Sequence, residues 1–185
     1  MRTLRILAAF LLCTARFYLP LLPLAAIDVC AQGSVYAVRH AEKVLTDKDE
    51  DPPLARAGKK RARDLARALA SVRLKAIYVT EYRRTQETAA PVAKAAGLAP
   101  VQADSEGMKA LARLIRSRHG EEAVLVVGHS DTLPALLKTL GVKDSVAVSE
   151  MDYDNLFIVD HGKGGAARMH WLHYGDVSGG GRGKR

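Results

Sequence analysis

A histidine and a serine lie side by side in the segment VLVVGHSDTLP, residues 124–134, where an apolar run ends and a helical pattern begins. Ser130 would be a nucleophile if GHSDT were a variant of the G-x-S-x-G turn of serine hydrolases, although Thr132 stands where the last glycine belongs. An acid and a histidine from later in the chain could complete such a triad: Asp154 or Asp160, with His161 or His173. If His129 is the reactive group instead, the site uses imidazole chemistry.

A second polar group follows another apolar run. Arg39 and His40 end the segment SVYAVRH, and TEYRRTQETA adds the pair Arg83 and Arg84. Planar guanidinium groups fit phosphate oxygens, and fixed donors stabilise the charge that develops in a transition state. A single histidine at such a position more often has a structural role. Together with His129, however, these residues indicate a site for a phosphate dianion.

Between residues 34 and 174, short apolar runs alternate with amphipathic segments, which is typical of a sheet packed between helices. The apolar runs predict strands at residues 34–40, 76–80, 99–103, 123–129, 146–149, 155–161 and 167–174. The amphipathic segments predict helices at residues 54–72, 82–97, 105–120 and 130–141. The last three strands have no helix between them, which predicts an antiparallel edge on a mainly parallel sheet. The expected architecture is an α/β/α sandwich of three layers.

Both histidines of interest end a predicted parallel strand. Ligands bind at the carboxyl ends of such strands in open α/β sheets. If the two strands are neighbours, His40 and His129 project from the same edge. Local signals also predict that Ser105 caps the third helix, that Ser130 or Asp131 opens the fourth, and that the second is bent or restarts at Pro91.

Four segments occur in an order that resembles the histidine phosphatase superfamily, the phosphoglycerate mutase-like proteins: VRHAEK, DPPLARAGKKRARDLA, VTEYRRTQETAAPVA and VVGHSDT. They cover most of residues 34–141, and the closest similarity is to short, exported members described as phosphatases. The resemblance implies a phosphoglycerate mutase-like fold and hydrolysis of phosphomonoesters without a metal or other cofactor. Mutases of this superfamily have a long segment between the second helix and the GH strand, and its shortness here argues against mutase activity.

The resemblance also implies a role for each candidate residue. His40 would attack phosphorus and form a phosphohistidine that water then hydrolyses. Arg39 and Arg84 would hold the phosphate oxygens, and His129 would donate a further hydrogen bond to the transferring group. Arg84 is preferred over Arg83 because the family's arginine comes two residues before the glutamine. Under this interpretation Ser130 only caps a helix.

The general acid is expected between the third strand and the helix after it, where the family's glutamate normally lies. Asp104 and Glu106 are the candidates in this segment. Glu106 is preferred because its longer side chain, early in the predicted helix, can lean over the pocket. Asp104 is equally suited to a turn. Glu42 and Lys43 are as consistent with solvent-exposed charges as with contacts to a substrate.

Residues 1–31 differ from the remainder of the chain, since a basic start precedes two apolar runs and small residues before Gln32. This pattern predicts an export signal cleaved after Ala31 or, alternatively, an uncleaved membrane anchor. Export would place the protein in the periplasm or outside the cell. Both cysteines, Cys13 and Cys30, lie in this leader, so a mature domain would have no thiol for a disulfide or for catalysis.

The expected phosphatase-like domain spans residues 32–175, and the glycine-rich basic residues 176–185 are predicted to form a disordered tail. The formal net charge of +8 favours anionic partners, while only 5% aromatic residues and no recognised motif argue against nucleic acid. A phosphorylated small molecule or an envelope glycolipid phosphate is the expected substrate, and a membrane would be contacted only through an uncleaved leader. A non-catalytic phosphate-binding module is the remaining alternative to the phosphatase and to the serine hydrolase.

Overall fold

Strand β1 (Ser34–Arg39) lies inside a six-stranded sheet whose order is β3-β2-β4-β1-β5-β6. The computed structural model describes residues 33–161 and 167–179. Strands β2 (Leu74–Val79), β3 (Val101–Gln102) and β4 (Ala123–Gly128) run parallel to β1. Strands β5 (Asn155–His161) and β6 (Ala167–His173) are antiparallel. The predicted antiparallel edge is therefore confirmed.

Four helices cover the two faces of the sheet. Helices α1 (Arg56–Ala68) and α2 (Arg83–Ala96) pack together on one face, and α3 (Met108–Arg118) and α4 (Leu133–Leu140) pack together on the other. Each face has its own apolar core, because β1 and β4 carry buried residues on both sides. This is the three-layer α/β/α sandwich that the sequence predicts.

The boundaries differ from the prediction at several points. Residues 146–149 do not form a strand, and their buried members Val146 and Val148 instead pack as an irregular segment against the core of α3 and α4. Helix α2 continues through Pro91. Helix α3 begins at Met108, three residues later than expected, so Ser105 does not cap it. Ser105 binds the carboxylate of Glu81 instead.

The end of the chain extends the fold beyond the predicted boundary at residue 175. The Asp176 carbonyl accepts a hydrogen bond from buried Arg61, and the Ser178 hydroxyl accepts hydrogen bonds from the amides of Tyr153 and Asp154. Residues 176–179 thus pack on the domain. The predicted leader, residues 1–31, and the rest of the predicted tail, residues 180–185, lie outside the described residues. Within the described residues, no helix is long and apolar enough to cross a membrane.

Candidate active site

The pairing of β1 with β4 brings the two candidate histidines together. Arg39 is the register partner of Gly128, so His40 and His129 leave the sheet side by side. The His40 amide donates a hydrogen bond to the Gly128 carbonyl at 2.9 Å, which continues the pairing by one step. The two imidazole rings meet edge to face with their centroids 5.3 Å apart. Residues from two strands thereby form one site at the carboxyl edge of the sheet.

The His40 ring is held in one orientation by its own backbone. Its Nδ1 lies 2.8 Å from the Ala41 carbonyl oxygen. Because a carbonyl can only accept, Nδ1 carries the proton and the lone pair of the neutral ring is on Nε2. Burial, together with the charges of Arg39, His129 and Arg84, lowers the pKa of His40 to about 3. The ring is therefore neutral at pH 7, as a nitrogen nucleophile must be.

His129 is fixed by a chain of hydroxyl groups that the sequence analysis missed. Its Nε2 lies 2.9 Å from the Thr80 hydroxyl, which is 3.0 Å from the Thr85 hydroxyl. Both threonines are fully buried, and the Thr85 hydroxyl donates to the Tyr82 carbonyl at 2.7 Å. Burial and the charge of Arg84 lower the pKa of His129 to about 4. This histidine is also uncharged near neutral pH.

Two guanidinium groups flank the imidazoles. Arg39 is only 4% exposed, lies 4.3 Å above the Tyr153 ring and donates to the Ser149 carbonyl at 3.0 Å. Arg84 lies 4.1 Å above the Tyr82 ring. Among the described residues, the Nε atoms of both arginines are buried without a hydrogen-bond partner. Buried donors of this kind are suited to an anionic ligand, because leaving them unpaired costs free energy.

Neighbouring Arg83 has a different environment. Its side chain is 57% exposed and pairs with Glu87 one helical turn away, at 2.8 Å. Its backbone amide donates a hydrogen bond to the Asp51 carboxylate at the start of α2. The same carboxylate lies 3.6 Å from Arg84, whose side chain is 14% exposed. The register predicted from the glutamine thus places Arg84 in the site and Arg83 in solvent.

These groups line a cavity of about 320 Å³. The five residues proposed from the sequence all border it: Arg39, His40, Arg84, Glu106 and His129. Glu106 reaches the cavity from the turn before α3, not from the helix itself. Its amide is held by the Asp104 carboxylate at 3.0 Å, so Asp104 serves a turn. The structure brings the candidates together, and their individual roles stay predictions.

Ser130 does not cap helix α4, contrary to the sequence prediction, and neither does Asp131. The helix begins after Thr132, whose hydroxyl accepts a hydrogen bond from the His129 amide at 3.0 Å. The Ser130 hydroxyl instead points to Glu150, at 3.4 Å. Ser130 therefore lies on the cavity wall beside a carboxylate.

The acid and histidine candidates for a serine triad lie elsewhere. Asp154 pairs with His173 at 3.5 Å, and Asp160 pairs with His170 at 3.4 Å. Neither pair borders the cavity that contains Ser130. The side chain of His161 lies outside the described residues. The described residues thus give Ser130 an acidic neighbour but no triad.

Several residues around the site came from signals the sequence analysis did not use. Thr80 follows β2, the other neighbour of β4, so the rule that located His40 and His129 also applies to it. Tyr153 and Glu150 come from the irregular segment before β5, which has no periodic pattern.

Lys43 borders the cavity, whereas Glu42 pairs with buried Arg61 at 2.7 Å and holds the loop after His40.

The described residues contain no group of three or more histidine, cysteine or acidic side chains arranged to hold a metal ion. The positive charge that faces the cavity belongs to Arg39, Arg84 and Lys43. A phosphate group can therefore be bound by side chains of this chain. The arrangement combines a neutral nucleophilic imidazole, two buried guanidinium groups and a carboxyl group at one opening.

Comparison with known protein families identifies the class to which this fold and site belong. Residues 35–106 match the model of the histidine phosphatase superfamily (branch 1), and this segment contains Arg39, His40, Arg84 and Glu106. This match confirms the resemblance to the histidine phosphatase superfamily that is seen in the sequence. No curated protein sequence matches the chain.

Solved structures share the fold at low sequence identity. The protein histidine phosphatase SixA, solved with tungstate, has a TM-score of 0.63 and 17% identity over 76% of this chain and 96% of its own. YhfR from Bacillus stearothermophilus has a TM-score of 0.60 and 22% identity, covering 79% of this chain and 98% of its own. A mycobacterial glucosyl-3-phosphoglycerate phosphatase has a TM-score of 0.58 and 13% identity, covering 78% and 98%. These similarities establish the fold.

Proposed function

We propose that the protein is a phosphomonoester hydrolase that works through a phosphohistidine on His40. The observation that carries the proposal is the state of the His40 ring, with its proton fixed on Nδ1 and its Nε2 lone pair beside two buried guanidinium groups. A neutral nucleophile and unpaired cationic donors are what attack on a phosphate dianion requires. The match of residues 35–106 to the superfamily model supports phosphatase activity in general.

In the first step, the His40 Nε2 lone pair forms a bond to phosphorus while the bond to the alcohol oxygen breaks. Arg39 and Arg84 bind the equatorial oxygens, where negative charge is carried through the transition state. The His129 ring is held by Thr80 through Nε2. Its Nδ1 donates a hydrogen bond to the transferring group once the bound phosphate dianion has favoured protonation of the ring. Glu106, in its protonated form, gives its proton to the leaving oxygen.

In the second step, water attacks the phosphorus of phosphohistidine and the P–N bond breaks. The electron pair of that bond returns to Nε2, and Glu106, now a carboxylate, accepts the proton from the water. Inorganic phosphate leaves and the starting state is restored. One residue thus acts as acid in one step and as base in the next.

The similar structures are named as phosphatases of different substrates. SixA is described as a protein histidine phosphatase and the mycobacterial protein as a glucosyl-3-phosphoglycerate phosphatase. They support phosphoryl transfer as the shared chemistry without selecting one substrate for this chain. A phosphorylated small molecule, or a phosphate of an envelope glycolipid, is the substrate class we propose.

We also propose that the chain is exported and that residues 1–31 are its signal. The support is the basic start followed by apolar runs and small residues near Gln32. N-terminal sequencing of the protein from cells should find a chain that begins near Gln32 outside the cytoplasm. Recovery of an intact Met1 in membranes would favour the anchored alternative instead.

Hydrolysis of a generic aryl phosphate by the purified protein tests the proposed reaction. Activity should persist in EDTA, since the phosphate charge is met by arginine and imidazole. A base-stable, acid-labile phosphate should be trapped on the wild-type protein and be absent from His40→Ala. Ser130→Ala is the matched control, because this residue borders the same cavity and should keep most activity. Loss of activity in Ser130→Ala, with His40→Ala still active and a fluorophosphonate label on the protein, would favour the serine hydrolase.

A further inference from the structure

The cavity that contains the candidate site has two electrically different zones. At its base lie Arg39, which is buried, and Arg84, whose side chain is 14% exposed. At its opening lie three exposed acidic residues and a single partly exposed cation: Glu106, Asp131, Glu150 and Lys43. We call the three acidic residues the acidic rim. The chain as a whole is basic, so the sign of this rim is opposite to that of the molecule.

The acidic rim differs from the other carboxylates around the site. Glu42, Asp51 and Glu87 each pair with an arginine: Arg61, Arg84 and Arg83 respectively. None of the three rim carboxylates has an ion-pair partner within 4.0 Å in the part of the chain that the structure describes. The rim carboxylates are therefore available to a group that enters the cavity.

A bound phosphate monoester divides its contacts between the two zones. Its dianionic phosphate is matched by the two guanidinium groups at the base, which leaves the alcohol part facing the rim. There, Lys43 faces the carboxylates of Asp131 and Glu150. Glu106 is neutral in its proposed role as the acid, so negative charge still exceeds positive charge. A second anionic group on the alcohol would be repelled, whereas an ammonium group would be attracted.

The cavity itself has room for only a small alcohol. About 320 Å³ is close to the lower end of the range for small-molecule pockets. A phosphate and a short alcohol fit this volume, whereas a phosphorylated protein segment or a glycolipid would have most of its mass outside. The cavity and its rim therefore favour a small, free phosphomonoester.

We propose that the protein selects small phosphomonoesters whose alcohol carries a positive charge, the amino-alcohol phosphates, through attraction to the carboxylates of Asp131 and Glu150. The proposal rests on the proposed phosphatase function and names its substrate class. Because the rim carboxylates are exposed, their attraction is weakened by salt. Selectivity should accordingly be large in dilute buffer and small at high ionic strength.

A pair of substrates with the same shape isolates the charge. Choline phosphate and 3,3-dimethylbutyl phosphate differ in a quaternary nitrogen that is replaced by carbon, and phosphoglycolate adds an anionic alcohol. We expect kcat/KM to fall in that order, by about tenfold or more between choline phosphate and phosphoglycolate in dilute buffer. The difference should shrink several-fold at ~0.5 M salt.

Substitutions in the rim show how much of the substrate preference comes from the rim carboxylates and how much from the intrinsic reactivity of each phosphate ester. Asp131→Asn and Glu150→Gln should each reduce the ratio of kcat/KM for choline phosphate over its neutral analogue. Glu121→Gln is the matched control, since this exposed residue precedes β4 at the opposite edge of the sheet. It removes the same charge from the molecule and should leave the ratio unchanged.

The outcomes distinguish this proposal from the function on which it rests. If the wild-type protein does not hydrolyse an aryl phosphate, the phosphatase function is wrong. If it hydrolyses aryl phosphate but shows no preference for choline phosphate over the neutral analogue, the charge selection is wrong. A preference that Asp131→Asn and Glu150→Gln leave intact, or that Glu121→Gln reduces equally, also overturns it.

Discussion

The histidines at the two ends of the sheet differ in their hydrogen-bond partners. At the carboxyl end, His40 and His129 are buried among arginines, and each has a single hydrogen bond from its ring to a neighbouring backbone or hydroxyl oxygen. Near the amino end of β4, both ring nitrogens of His119 are engaged by protein groups. Its Nε2 meets the Tyr78 hydroxyl at 2.8 Å, and its Nδ1 meets the Glu122 carboxylate at 2.6 Å.

The difference shows what makes a histidine available for chemistry. The Glu122 carboxylate occupies one ring nitrogen of His119, and the Tyr78 hydroxyl occupies the other. The histidines of the site lack a carboxylate partner among their described hydrogen bonds, and arginine charges oppose their protonation. Burial alone therefore does not define a reactive histidine. A neutral ring with an unoccupied nitrogen does.

The largest expected effect comes from comparing two variants, each of which removes one histidine from one end of the sheet. His40→Ala should lower kcat by about four powers of ten or more, because a covalent step without its nucleophile has no substitute route in this site. His119→Ala should leave kcat within a few-fold while lowering the melting temperature. Circular dichroism checks that both variants fold. Similar losses of kcat in both variants would remove the distinction between the two ends.

Arginine substitutions should show the next largest effect. Arg84→Ala is expected to lower kcat/KM by about two or more powers of ten, as when a donor to transition-state charge is lost. Arg83→Ala removes the same group from the next residue, where it only pairs with Glu87 in solvent. This variant should change kcat/KM little. Equal effects on steady-state kinetics would mean that the wrong arginine has been placed in the site.

The acid role of Glu106 predicts an effect that depends on the leaving group. Glu106→Gln should slow hydrolysis of a neutral alkyl phosphate by about a hundredfold, because an alkoxide needs a proton to leave. An aryl phosphate has a leaving group that needs little protonation, so its rate should change little. Comparing the two substrates on the same variant controls for damage to the fold. A uniform decrease, or no decrease, would reject this role.

Removing the hydroxyl group that hydrogen-bonds to His129 should have a smaller effect on kcat. Thr80→Val should lower kcat about tenfold, since a buried hydrogen bond that orients His129 is lost. Thr80→Ser retains the hydroxyl and should restore most of the rate. Tyr78→Phe removes the corresponding hydroxyl at His119 and should reduce stability without changing kcat. If Thr80→Ser is as slow as Thr80→Val, packing of the methyl group is the cause instead.

The smallest expected effect concerns stability in acid. The folded-state pKa of His40 is about 3, below the unfolded value near 6.5, so below pH 6.5 the unfolded chain takes up a proton that the folded chain does not. Stability is then lost as the pH falls, by about 1.4 kcal/mol per pH unit for this histidine. Urea unfolding of His40→Asn should show a shallower loss than wild type between pH 6.5 and about pH 4. Above pH 7.5 the two profiles should run parallel, and a difference there would exclude this explanation.

The elements that the sequence predicts well are those with a strong repeating pattern. The apolar runs of β1 and β4 and the amphipathic α1 follow directly from burial on one or both faces. Strand ends then located His40 and His129. Residues 146–149 were wrongly predicted as a strand because Val146 and Val148 alternate with the small residues Ala147 and Ser149. The same alternation also suits an irregular segment that buries two side chains.

Contacts between distant segments could not be read from a single sequence. The Thr80 hydroxyl, the Tyr153 ring under Arg39 and the acidic rim depend on how loops meet above the sheet, which no local period encodes. Helix starts were also misplaced, because Ser105 and Ser130 are good capping residues that found other partners. Ser105 and Ser130 therefore contact Glu81 and Glu150, respectively, instead of capping a helix.

The position of β4 between β2 and β1 determines when a working site can exist. Until β4 is inserted, the strand that carries His40 and the strand that leads to Thr80 and Arg84 belong to separate pieces of sheet. Joining them requires segments that are far apart along the chain, and such contacts form slowly. A partly synthesised or partly folded chain therefore contains the nucleophile without its phosphate site. Recovery of activity during refolding should coincide with completion of the sheet and lag behind the formation of helices.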